Sequence, residues 1–177
     1  ELGVVADARL ALAALADEAR GKRHADRGRL HEEIARGRKE FAGNWAEQWT
    51  SDQFPLRPER ILSELRQAAP ADAYIVTDVG WNKNGVGQQF PIDVPGTFIT
   101  PSGLATMGFG PAAALGVKVA QPHRQTIALV GDGGFSANPS VVATAMEAGL
   151  HVIWLVMDNS AFGTIAASKV AGRDSEG

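Results

Sequence analysis

The run Thr126-Ile127-Ala128-Leu129-Val130 leads straight into Gly131-Asp132-Gly133-Gly134. A strand that is apolar at successive positions has no polar face to turn to water, so it belongs in the middle of a sheet covered on both sides. Parallel sheets flanked by helices provide such a place. Other short apolar runs match it. Ala73-Tyr74-Ile75-Val76-Thr77 ends in Asp78-Val79-Gly80, Gly96-Thr97-Phe98-Ile99-Thr100 follows, and His151-Val152-Ile153-Trp154-Leu155-Val156-Met157 ends at Asp158-Asn159. Between them lie helix-length stretches, Met107 to Ala120 and Pro139 to Ala148. Pro58 is placed for the first turn of an earlier helix, which Pro70 ends. Strands alternating with helices predict an α/β fold with a doubly wound parallel sheet across residues 56–177.

The stretch before it reads differently. Val4-Val5-Ala6 has the character of a strand end, and Asp7 is placed to cap an alanine- and leucine-rich helix that stops at Gly21. Residues 1–21 are therefore expected to be the tail of a preceding domain. Leu30, Ile34, Phe41, Trp45 and Trp49 recur along one helical face, so residues 22–55 read as an amphipathic helical linker. Basic residues cluster there, but Asp26, Glu32, Glu33 and Glu40 interleave with them, which describes a solvated helix face and not a nucleic-acid surface.

Overall charge agrees with this. Twenty acidic residues against 17 basic ones give no broad positive field to attract nucleic acid or an anionic membrane, so any bound anion must be held locally. No apolar run approaches the roughly 20 residues of a membrane span. The absence of cysteine excludes disulfides and thiolate metal sites and fits a reducing compartment, so a cytoplasmic location is expected. The first residues lack the basic start of a signal peptide and include no initiator methionine, so the chain reads as an internal piece or a cleaved product.

In open α/β sheets the ligand crevice lies beyond the carboxyl ends of the strands. Asp132 and Asn159 follow two such ends, 27 positions apart, close to the roughly 30 residues that a strand, a crossover helix and the next strand require. Adjacent parallel strands deliver both side chains to one edge. A carboxylate, an amide oxygen and a neighbouring backbone carbonyl are hard donors suited to Mg²⁺, which fills its remaining positions with water and phosphate oxygens. One carboxylate holds the ion weakly, so metal and diphosphate are expected to bind together. Gly133 and Gly134 leave room for close backbone approach to an anion.

The pair Gly131-Asp132-Gly133 and Asn159, with Gly163 closing the second turn, resembles the signature of thiamine diphosphate (ThDP) enzymes. The stretch Thr100-Pro101-Ser102-Gly103-Leu104-Ala105-Thr106-Met107-Gly108-Phe109-Gly110-Pro111 is similar to a segment of the acetolactate synthase and benzoylformate decarboxylase group, and Asp78-Val79-Gly80 resembles that group's first diphosphate-side turn. The likeness covers about residues 56–166 and implies the ThDP-binding fold of a carboxyl-terminal cofactor domain. It also implies that Asp132, the Asn159 side chain and the Ala161 carbonyl ligate Mg²⁺. Val79, Trp81, Asn82, Gly131, Gly133, Gly134, Phe162 and Gly163 then lie toward the cofactor. Met107 matches the bulky residue that bends ThDP, and the Ala105 carbonyl accepts a hydrogen bond from its amino group.

By the same resemblance the whole enzyme acts on a 2-keto acid, by decarboxylation or carboligation. It works as a homodimer or homotetramer with the active site between subunits. The glutamate that activates the cofactor belongs to another domain, and this chain supplies no catalytic residue: Glu64 and Glu147 read as ordinary helix residues. Whether the full-length protein also carries FAD is not legible here. Ala105 stands where the synthases usually have glycine, Phe162 where tyrosine is common, and Asp158 where the first of two asparagines is usual. Trp81-Asn82-Lys83-Asn84 replaces the Gln-His pair of typical acetolactate synthases. The alternatives are a non-catalytic nucleotide-binding module or an inactive fragment of such an enzyme. No Gly-x-Gly-x-x-Gly follows Thr77, which argues against a dinucleotide site.

Overall fold

The computed structural model describes residues 3–22 and 28–166. In chain order the elements are α1 (Ala8–Ala19), α2 (Gly28–Trp49), α3 (Pro58–Ala68), β1 (Tyr74–Thr77), α4 (Trp81–Gln89) and β2 (Phe98–Ile99). They continue with α5 (Phe109–Ala120), β3 (Thr126–Gly131), α6 (Asp132–Ser136), α7 (Val141–Glu147) and β4 (Ile153–Met157). The chain divides into two compact units between Asn44 and Trp45.

In the first unit Asp7 caps α1 as its residue type predicts, its Oδ1 accepting the Leu10 amide at 3.0 Å. Leu10, Leu12 and Leu15 remain exposed. The strand end expected at Val4-Val5-Ala6 does not form, and those residues run as irregular chain. Extended backbone becomes a strand only when a neighbour takes up its donors and acceptors, and among the described residues the sheet consists of β1 to β4.

The second unit carries that sheet, in the order β2-β1-β3-β4 with every pairing parallel. Alternation along the two central strands sends side chains to opposite faces. Ile75, Ile127 and Leu129 pack with Leu62 of α3 and with Val86 and Phe90 at α4, while Val76, Ala128 and Val130 pack with Ala114 of α5. Helices thus cover both faces, which is the α/β doubly wound arrangement the sequence predicts. Within this unit Trp49 donates its indole N–H to Gln89 Oε1 at 3.1 Å. On the far flank β4 is an edge strand, with Ile153 46% and Val156 39% exposed.

The crossovers from β1 to β2 and from β3 to β4 leave the centre in opposite directions. The gap between the carboxyl ends of β1 and β3 is therefore the topological switch point, where ligands of such sheets bind. Asp78 follows one strand and Asp132 the other. No helix among the described residues is long and apolar enough to cross a membrane.

Candidate functional site

At the end of β1 the chain turns at Gly80 and enters α4 directly with Trp81 and Asn82. Asn82 is buried, and its Nδ2 donates to the Leu129 carbonyl of β3 at 2.9 Å. Trp81 lies partly buried against the core below. Both side chains of this expected cofactor turn are thus engaged by the protein, and the Val79 amide donates to Asp78 Oδ1 at 2.6 Å.

The segment from β2 to α5 carries Ala105 and Met107. Ala105 adopts φ +48°, a left-handed conformation in which its Cβ crowds the following carbonyl. That gives a local reason for glycine at this place. Ala105→Gly is expected to raise stability by about 0.5–1 kcal/mol in chemical denaturation, the relief of strain outweighing the added freedom of the unfolded chain. A loss of stability in that titration would show that the conformation carries no strain. The Met107 methyl lies 3.1 Å from where a side chain on Gly133 would begin, so the two segments meet across the crevice.

After β3, Asp132 is the first residue of α6, a five-residue helix where the sequence reading placed a glycine turn. Gly133 faces Phe162 and Met107, and any Cβ there would sit 2.7 Å from the Phe162 ring. The Gly131–Met157 pairing sets the next residues, Asp132 and Asp158, side by side at the sheet edge. Past β4 two side chains fold the loop back on itself. Asp158 Oδ1 accepts the Ser160 amide at 2.8 Å, and Asn159 Oδ1 accepts the Ala161 amide at 3.2 Å. Asn159 Nδ2 lies against Gly163.

These elements enclose a cavity of about 500 Å³ lined by Asp132, Gly133, Ser136, Asp158, Ser160, Ala161 and Phe162. Of the expected site residues, Asp132, Gly133, Ala161 and Phe162 share it. Met107 adjoins it through Gly133, whereas Asn159 is exposed beside it with its carbonyl oxygen turned onto Ala161. Gly134 packs beneath, against Asp78. A larger hollow, about 610 Å³, lies at the opposite edge of the sheet and offers Lys118 and His151 but no carboxylate.

The donor set fits a magnesium–diphosphate group. Asp132 and Ala161 line one cavity, a carboxylate and a residue with a backbone carbonyl, and Gly133 between them carries no side chain into it. No group of three or more His, Cys, Asp or Glu residues capable of holding an ion exists among the described residues. An ion at Asp132 therefore depends on ligands beyond those side chains, which phosphate oxygens and water provide for Mg²⁺.

Sequence reading missed the inward role of Asp78, whose carboxylate accepts the amides of Val79, Gly108 and Gly110. It also passed over Ser136 and Asn138. The only signal for Asp78 was its place immediately after a buried strand.

A parallel α/β domain with a cavity beyond the carboxyl ends of neighbouring strands, here β3 and β4, has the layout of a ligand-binding α/β domain. Residues 78–175, more than half of the chain, match the family described as thiamine pyrophosphate enzyme, C-terminal TPP binding domain, and the chain belongs to that family. It is 36% identical over 110 residues to the acetolactate synthase large subunit of Lactococcus lactis, covering 62% of this chain and 19% of that protein. It is 34% identical over 110 residues to acetolactate synthase isozyme 3 large subunit of Escherichia coli, again 62% of this chain and 19% of the relative. With the Haemophilus influenzae large subunit the identity is 28% over 148 residues, 78% of this chain and 26% of the relative. The matched part thus spans about a fifth to a quarter of those proteins.

Proposed function

We propose that this chain holds the diphosphate of ThDP through Mg²⁺, as the carboxyl-side portion of a 2-keto acid decarboxylase or carboligase resembling acetolactate synthase. The observation that carries this reading is the meeting of Asp132 and Ala161 in one cavity at the carboxyl ends of β3 and β4. Asp132 supplies the anionic ligand and the Ala161 carbonyl a neutral one. Asn159 completes the protein set once its side-chain oxygen exchanges the Ala161 amide for the ion. Gly133 and Gly134 keep the backbone close to the phosphates, and Met107 supports the ring portion beside Gly133. When bound, ThDP supplies a nucleophilic carbon and an electron sink for cleavage next to a carbonyl.

In this reading residues 1–21 are the tail of a central domain, residues 22–55 a helical linker and residues 56–177 the cofactor domain. The full-length protein works in the cytoplasm as a homodimer or homotetramer, with its activating glutamate on another domain. The defining experiment is calorimetric titration of the chain with ThDP, in Mg²⁺ and again in EDTA. Affinity is expected to fall at least about tenfold without the metal, because phosphate and Asp132 then repel each other. Equal affinity in both buffers would overturn the magnesium-bridged reading.

A further inference from the structure

Asp78 is 0% exposed. Its carboxylate is occupied by backbone. Oδ1 accepts the Val79 amide at 2.6 Å, and Oδ2 accepts the amides of Gly108 at 2.9 Å and Gly110 at 3.2 Å. From the other side α6 closes on it, with Oδ2 2.8 Å from the place a Cβ on Gly134 would take. One side chain therefore touches the turn after β1, the start of α5 and the turn bearing Asp132. A second link closes the ring, since Asn138, just beyond α6, donates Nδ2 to the Gly108 carbonyl at 2.9 Å.

Met107 immediately precedes Gly108, and Asp132 lies two residues before Gly134. Asp78 thus links the two segments that carry them, beside the approach of the Met107 methyl to Gly133. Burying a carboxylate carries a desolvation cost of several kcal/mol, and several converging backbone donors are what offsets it here. We propose that Asp78 is a positioning residue that fixes Met107 relative to the Asp132 turn, so that the ring and diphosphate portions of one cofactor are gripped together. This inference rests on the ThDP–Mg²⁺ reading above and adds a residue that touches neither cofactor nor metal.

Two probes separate the portions: Mg²⁺-pyrophosphate reports the Asp132 turn alone, and Mg²⁺-ThDP reports the turn and Met107 together. In Asp78→Asn an amide NH₂ confronts donors that need an acceptor, while side-chain volume is kept. The expected result by calorimetry is a loss of ThDP affinity of at least about tenfold with pyrophosphate affinity changed less than about threefold. Met107→Ala should show the same selective loss, and the double variant Asp78→Asn, Met107→Ala should lose no more than Met107→Ala alone, because both act through one contact. Equal losses for both probes, no loss for either, or additive losses in the double variant would overturn the proposal. Should Asp78→Asn fail to fold, Asp78→Ser, which keeps one acceptor oxygen but cannot reach all three amides, is held to the same pattern. A wild-type chain that binds neither probe refutes the ThDP–Mg²⁺ reading itself. One that binds both equally leaves the diphosphate site standing and removes only the role given to Asp78.

Discussion

Gly110→Ala is expected to destabilise the domain by about 3 kcal/mol, whereas Gly116→Ala, the same change further along the same helix, is expected to stabilise it by about 0.5–1 kcal/mol. The difference lies in what a methyl group meets. At Gly110 it would lie 2.9 Å from the Asp78 amide nitrogen and 3.1 Å from the Thr77 carbonyl carbon. Both are backbone atoms of the β1 terminus, held by a parallel sheet, so α5 has to move away. That movement stretches the Gly110 amide from Asp78 Oδ2 as well. At Gly116 a methyl meets nothing within 4 Å, and only the helix propensity changes. Urea titrations of the two variants check the pair, and a Gly110→Ala midpoint equal to wild type would show that β1 and α5 are not tightly apposed.

Asp132→Ala is expected to lower the affinity for Mg²⁺-ThDP at least about 100-fold, a larger penalty than loss of a residue that merely orients a ligand. The side chain lies partly exposed in the first turn of α6. Its removal should therefore cost the fold less than about 1 kcal/mol, the usual worth of an acidic group at a helix start. Binding and stability separate cleanly at this residue. Calorimetry beside thermal denaturation reads both, and retention of wild-type affinity would remove Asp132 from the metal.

Much of the sheet was legible because its strands are short apolar runs that stop at polar residues. Residues 126–130 announce a central strand, and β3 is indeed covered on both faces. The second strand is shorter than residues 96–100 suggest, since only Phe98 and Ile99 pair with β1. Helix α4 left no sequence signal: Asn82, Asn84, Gly85 and Gly87 are poor helix formers. It forms because tertiary contacts override propensity, with Val86 buried, Trp81 lying over Gly85 and Asn82 bonded to β3. Similar reasoning explains why Gly131-Asp132-Gly133-Gly134 reads as a turn yet begins a helix.

The site was legible in its residue types and less so in their orientation. Spacing placed Asp132 and Asn159 on neighbouring strand ends, and β3 and β4 do lie side by side. The letters could not show that Asn159 turns its oxygen toward Ala161, because short polar side chains close local turns as readily as they bind ions. Nor could they show that Asp78 points inward. An aspartate after a strand looks the same in sequence whether it faces a ligand or a helix start.

The outer flank of β4 has a colloidal consequence. Among the described residues its second row of amides and carbonyls has no partner strand, and Ile153 and Val156, three positions apart, present aliphatic surface on opposite sides. Such a margin can template cross-strand adhesion between molecules.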